Sequence, residues 1–539
     1  MTMRINGIAL ASLTMLAAGF TDISTFQANA HITERALDRG NVIAPIAVER
    51  SLKLEPIAQA NNANTPLALV EEANRRREAN QLDRAIALYR EAIEKNPVFV
   101  PAHYGLGVTL RQQGNLDGAI ASHNRAIEIE ASYTPAYYGL GIAKYQKGDF
   151  TGAIAAYQKV IELSEADAAL APTYYNLGLA EERQNNYRQA AAAFRQAITL
   201  DPSYALAHNG LGSVLRQQGN LDQAIAAYRQ ATTLSPNFAT AHYALGVALY
   251  ERNDYNGAIA AYEKVIAINS QFPNVHYNLG VALTANDQID RAIVAYQRAT
   301  ELDVSNADAF AALGKNLLEK RRLNEAANAF RRSVELNPNE PIAYNGLGLT
   351  LRRQGNLSGA ITAYEQAIAL NPRYASAYNN LGRALSDQDR PADAIVAFRS
   401  ATELDPNNSV AFSNLGQLLR TQGDSTEAIA ALEQAISLGK PELWSDYTNL
   451  GLALADQGDL TKAEAAYQKA IELQPTFARA HFGMGALQTA QGNIRDAIAA
   501  YKEALRLYEA EDSTEWVQRT QRALQALQGT MQSQYQIIY

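Results

Sequence analysis

The stretch RQQGNLDGAI occupies Arg111–Ile120 and returns almost unchanged as RQQGNLDQAI at Arg216–Ile225 and RRQGNLSGAI at Arg352–Ile361. It carries turn chemistry. A Gly followed by Asn favours a left-handed residue and then a helix cap, and the apolar positions on either side are spaced for helices. In each copy a Leu-Gly pair stands shortly before the phrase, and an Ala follows that glycine by twelve residues.

The Leu-Gly pair sets the phase of the whole chain. The glycines are Gly107, Gly141, Gly178, Gly212, Gly246, Gly280, Gly314, Gly348, Gly382, Gly416, Gly451 and Gly485. Nine of the eleven gaps are 34 residues; the others carry three extra residues near Glu165–Leu170 and one near Lys440. A weaker leading unit adds Ala73, Ala85 and Pro97, which makes about thirteen units over Pro66–Glu511. Within Ala205–Phe238, His208, Leu211, Gly212 and Leu215 share one helical face, and Ala224, Tyr228 and Ala231 share another, with Gln217–Leu221 between them. Each unit therefore predicts an antiparallel helix hairpin that cannot bury its apolar faces alone and must stack on its neighbours. The expected fold is all-α, an α-solenoid of stacked hairpins with period 34. A glycine within a helix costs about 1 kcal/mol relative to alanine, so close packing against the small alanines of the second helix is expected to justify it.

Recurrence of an aromatic, Leu-Gly, Ala, an aromatic, Ala and Pro resembles the tetratricopeptide repeat family. Tyr344, Leu347, Gly348, Ala360, Tyr364, Ala367 and Pro372 show the full set. The resemblance implies a right-handed superhelix whose first helices line a concave groove, and a non-enzymatic scaffold that binds a protein or an extended peptide there.

Composition and motifs agree with a scaffold. The net charge is −8 without a basic run, which argues against nucleic acid as partner. There is no cysteine, hence no thiol chemistry and no Cys-based metal site. No metalloprotease, phosphate-loop or serine-hydrolase motif is present. Six of the seven histidines stand where other units carry an aromatic: His103, His208, His242, His276 and His481 before the glycine, and His123 on the second helix. No catalytic residue, metal or small-molecule cofactor is expected.

Helical phase places the residue three before each glycine, and those one, four and five after it, toward the groove. The first set contains Tyr104, Tyr138, Tyr175, Tyr243 and Tyr277, which suit peptide recognition or, alternatively, packing between hairpins. Further on, Asn345, Asn379, Asn380, Asn414 and Asn449 gather in four consecutive units. Long superhelices of the family, including those attached to O-linked N-acetylglucosamine transferases, carry an Asn ladder, and the resemblance implies a partial one at Asn176, Asn278, Asn380, Asn414 and Asn449. Arg111, Arg216, Arg352 and Arg420 stand four after their glycines, where the turn does not require Arg, and are binding candidates as well.

The ends complete the organisation. Residues 1–30 combine Arg4, an apolar stretch Ile5–Phe20 and Ala28-Asn29-Ala30, as in a cleavable secretory signal cut after Ala30. That predicts export to a periplasmic or extracellular place, with membrane contact only if the segment is kept. Residues 31–65 read as a linker. Residues 512–539 read as a capping helix and tail, with Asp512 and Glu515 as cap and Val517, Leu524, Leu527 and Met531 on one face. The functional expectation is a scaffold in envelope assembly or secretion. The competing one is a targeting subunit of a glycosyltransferase or polysaccharide-export machine.

Overall fold

A computed structural model describes residues 64–439 and 442–538, with side chains to Gly529. The expected signal segment, most of the linker, Lys440 and the side chain of Met531 lie outside the described residues. Among those residues there are 27 α-helices and no strand. Thirteen consecutive hairpins run from Pro66–Glu78 with Leu82–Lys95 to Ala478–Ala490 with Ile494–Ala510, and a long helix, Thr514–Ile538, follows. The fold is thus an all-helical array of stacked hairpins. It divides into two compact units between Leu302 and Asp303: hairpins one to seven before, and hairpins eight to thirteen with the last helix after. Within each unit every helix packs on the next, and most first helices also touch the first helix of the adjoining hairpin.

The turn of the quoted phrase forms as its residues dictate. Gly114 is left-handed at φ +86°, and the Asn115 amide reaches back to the Leu110 carbonyl at 2.9 Å, closing the first helix. Asn115 Oδ1 then accepts from the Gly118 amide and starts the second helix. The same closure recurs with Asn185, Asn253, Asp287 and Asp389 in the left-handed place, and even with Arg321 at φ 58°. Two expected caps differ. Asn220 makes no side-chain cap bond. Asp512 does not cap the last helix: it is itself left-handed at φ 56°, and the helix begins at Thr514. The three extra residues of the fourth unit form a single 3-10 turn, Ala168–Leu170, capped by Asp167.

The packing around the repeat glycines corrects one expectation. The alanine twelve residues on is fully buried in every unit, from Ala119 to Ala497. The glycine, however, faces the ring sixteen residues on in eleven units, and in the twelfth Gly416 faces Leu432. A β-carbon at Gly141 would stand 2.5 Å from the Tyr157 ring, and one at Gly212 would stand 2.6 Å from Tyr228. In several units a second glycine, on the following hairpin, closes over the ring's other side. Gly107 and Gly139 enclose His123, Gly178 and Gly210 enclose Phe194, and Gly314 and Gly346 enclose Phe330. The missing β-carbons make a slot for a ring between three helices, and close packing there offsets the helix cost.

The last helix covers the end of the array. Trp516 stacks on Tyr508 with centroids 5.4 Å apart and meets Phe482 edge-on, while Arg519 lies over the Trp516 ring at 4.9 Å. Leu524 and Leu527 are buried against Ala497 and Tyr501.

Candidate functional site

The first helices position the expected binding residues, and an offset of one repeat plus one residue organises them. The residue three before one glycine meets the residue two before the next. Asn176 Nδ2 donates to the Tyr138 hydroxyl at 2.7 Å, and Asn278 to that of Tyr243 at 2.6 Å. In the second unit Asn380 Nδ2 donates to Asn345 Oδ1 at 3.0 Å, and Asn414 to Asn379 Oδ1 at 2.9 Å. Asn176, Asn278, Asn380 and Asn414 thus form rungs between neighbouring hairpins, whereas the Asn449 Oδ1 is buried without a partner.

Burial sorts the candidates. Tyr104, Tyr138, Tyr175, Tyr243 and Tyr277 are all buried, which agrees with packing between hairpins, the second of the two readings given for them. Their rings lean on second-helix aromatics, as Tyr138 does on Tyr157 and Tyr243 on Tyr262. Asn345, Asn379 and Asn449 are buried as well. Asn380 and Asn414 remain partly exposed.

Three of the four arginines also bridge hairpins. Arg216 pairs with Glu251 at 2.8 Å, with only 4 % and 14 % of the two side chains exposed. Arg352 pairs with Asp387 at 2.6 Å, and Arg420 with Asp456 at 3.0 Å. In each case the acid stands five after the next glycine, again one residue beyond the repeat. Arg111 is partly exposed; Gln146 occupies the corresponding place on its neighbour. The reading of these arginines as free binding groups is corrected for Arg216, Arg352 and Arg420, which are ion-paired.

The quoted phrase contributes more bridges. Gln113 donates to Asp83 of the preceding hairpin at 2.6 Å. Asp117, in the same phrase, accepts from Lys147 of the following one. Arg252 does the same to Asp222 at 2.9 Å, and Gln354 to Asn324 at 2.9 Å. Sequence reasoning missed these groups and the acids Glu251, Asp387 and Asp456. A search at one repeat plus one, and at 30 residues between turn and turn, would have found them.

The histidines are held in structural roles. His103, His208, His242, His276 and His481 each set Nε2 against the carbonyl oxygen six residues earlier, at 2.9 to 3.2 Å. That tie fixes the loop entering the first helix. His123 is fully buried in its glycine slot, and both ring nitrogens lack a partner. Desolvation, helped by Arg111, lowers its pKa to about 3, so it stays neutral near neutral pH. Among the described residues no group of His, Cys, Asp or Glu is arranged to hold a metal ion, and no helix is long and apolar enough to cross a membrane.

With hairpins, turns and rungs established, the class is plain, and the chain belongs to the tetratricopeptide repeat family. Tetratricopeptide repeat models match residues 70–135, 379–446, 413–476 and 448–512, and another matches 132–203. The C-terminal domain of cilia and flagella-associated protein 70 matches 204–409. No curated protein matches the chain. Among solved structures, a chain of the APC/C hetero-tetramer Cut9-Hcn1 is 15% identical over 86% of this chain and 99% of its own, with a TM-score of 0.38. YrrB, described as a tetratricopeptide protein with an unusual peptide-binding site, is 24% identical over 37% of this chain and 97% of its own, with a TM-score of 0.31. The C-terminal part of a repeat protein from Cytophaga hutchinsonii is 17% identical over 45% of this chain and 99% of its own, with a TM-score of 0.40. The protein is accordingly a protein–protein interaction scaffold, of families that are typically non-enzymatic.

Proposed function

We propose that this scaffold holds an extended segment of a protein partner against its first-helix face, and that hairpins ten and eleven supply main-chain recognition. The observation that carries this is the pair Asn380 and Asn414. Each spends its Nδ2 on a rung, stays partly exposed, and has no hydrogen bond to its Oδ1 among the described residues. Such oxygens, one repeat apart, are acceptors for the amides of an extended chain. The test is affinity capture on the full chain and on an N380A/N414A variant. Loss of crosslinked peptides from the variant supports the reading; equal capture of the same peptides by both sinks it.

For the place of action we propose export to a periplasmic or extracellular compartment, in envelope assembly or secretion, from the signal-like residues 1–30. The match to a cilia and flagella-associated domain over 204–409 favours a second reading, association with a cilium or flagellum. Intact mass and fractionation separate them. A mature chain starting at His31 in an exported fraction supports the first, and an uncleaved chain within a flagellar preparation supports the second.

A further inference from the structure

Three guanidinium groups gather on the first helices of hairpins nine and ten. Arg352 is ion-paired to Asp387 at 2.6 Å. Arg353 beside it reaches the Leu318 carbonyl at 3.3 Å. Arg383 lies one helical turn before Asp387 on the same helix, Ala375–Asp387. It is half-buried and has no hydrogen-bond acceptor or ion-pair partner among the described residues. Burial, then the neighbouring Arg352, lowers its pKa, while Asp387 opposes the shift. Within reach of the same charges, the Tyr364 hydroxyl is fully buried and without a partner. Three cations against one carboxylate leave an excess of positive charge here, in a chain whose net charge is −8.

The same make-up recurs further along this unit. Arg420 is paired to Asp456, yet its Nε is buried without an acceptor. Arg479 is desolvated beside Arg420, Tyr508 and Tyr467 and likewise has no acceptor among the described residues. A desolvated guanidinium without an acceptor is costly, and its planar fork matches a carboxylate through two parallel hydrogen bonds.

We propose that Arg383, flanked by Arg352 and Arg353, is a carboxylate subsite, and that the extended segment held by this unit is acidic, rich in Asp and Glu. This rests on the peptide-holding reading above and adds the charge of the partner. Arg383 supplies the open fork; Arg353 adds positive potential; Asp387 keeps Arg352 in place and so limits the site to an excess that one or two carboxylates neutralise. The Arg420–Arg479 group offers the next such position to the same segment.

Fluorescence anisotropy with the full chain tests this, using a labelled twelve-residue peptide of alternating Glu and Ser and its Gln counterpart. The Glu peptide is expected to bind about tenfold tighter, the worth of one charge-assisted pair, and to weaken as salt rises. R383Q is expected to remove that difference and R383K to keep part of it, with unchanged helix content and melting temperature for both. Equal binding of the two peptides, or a preference that survives R383Q, overturns the acidic-segment inference and leaves peptide holding intact. Failure of both peptides to bind overturns both.

Discussion

The unit ending at Leu302 and the unit beginning at Asp303 are built from the same hairpin, yet their first helices present different chemistry. One residue after the glycine, the first unit carries Val108, Ile142, Leu179 and Val247, all buried, with Ser213 and Val281 half-buried. At the same position the second carries the half-buried Lys315, Leu349, Arg383 and Leu452 and the exposed Gln417 and Ala486. Three residues before the glycine, the buried tyrosines of the first unit, interrupted by Asn209, give way to Ala311, Asn345, Asn379, Ser413, Thr448 and Phe482. The backbone, the turns and the ring slots are common to both. The frame therefore sets where a side chain stands, and the identity of that side chain sets whether the first-helix face is apolar and closed or polar and able to recognise something.

That division can be broken where the frame is shared. Gly212→Leu in the first unit and Gly348→Leu in the second both drive a side chain into a ring 2.6 Å from the β-carbon. Overpacking of this kind costs about 3 kcal/mol. Denaturation followed by hydrogen exchange should show comparable local losses in the two units, because adjacent hairpins stabilise one another chiefly through their shared faces. A tolerated leucine in either unit would mean that the ring slot is loose there.

The arginine bridges should separate the units. Removing Arg216 leaves Glu251 nearly buried and unpaired, so Arg216→Ala is expected to cost about 3 kcal/mol. Arg352 and Asp387 are more exposed, at 21 % and 43 %, and Arg352→Ala should cost under about 1 kcal/mol. Urea midpoints of the two variants decide this; equal losses would contradict the difference in burial.

Acid should act on the first unit through His123. Its folded pKa of about 3 lies below the unfolded value of roughly 6.5. The neutral ring's contribution is therefore whole above about pH 6.5 and shrinks as pH falls from there toward 3. At pH 5 the loss amounts to about 2 kcal/mol. His123→Phe, matching Phe194 and Phe330 in equivalent slots, should remove that dependence. If the wild type and the variant lose stability in parallel between pH 7 and 5, the histidine is not responsible.

The rungs give the smallest effects. Tyr138→Phe leaves the buried Asn176 amide without its acceptor and should cost about 1.5 kcal/mol. Asn345→Ala removes the acceptor of a partly exposed Asn380, which water can replace, and should cost about 0.5 kcal/mol. Melting temperatures in that order would sharpen the comparison; the reverse order would show that the second unit's rungs are the drier ones.

Much of this was legible beforehand. Period, hairpin phase, left-handed turn residues and the buried alanines follow from spacing alone. The site was less so. Tyr138 and Arg216 were rightly placed on the first helix, but whether they point into open space depends on the adjoining hairpin. Asn176 and Glu251, one residue beyond the repeat, absorb them. A search in strict register passes over such partners, because neighbouring hairpins meet with a shift of one residue.

The sequence by itself determined a chain of stacked helical hairpins, because glycine, alanine, aromatic and cap recur at distances that only a 3.6-residue period can use. Tertiary structure alone decided that the repeat glycine faces a ring and not an alanine, and that three arginines are bridges. It also left Asn380, Asn414 and Arg383 with unspent hydrogen-bonding capacity. Partnership is a property of two hairpins held at a fixed offset, and no single repeat, however often it is written, contains that offset.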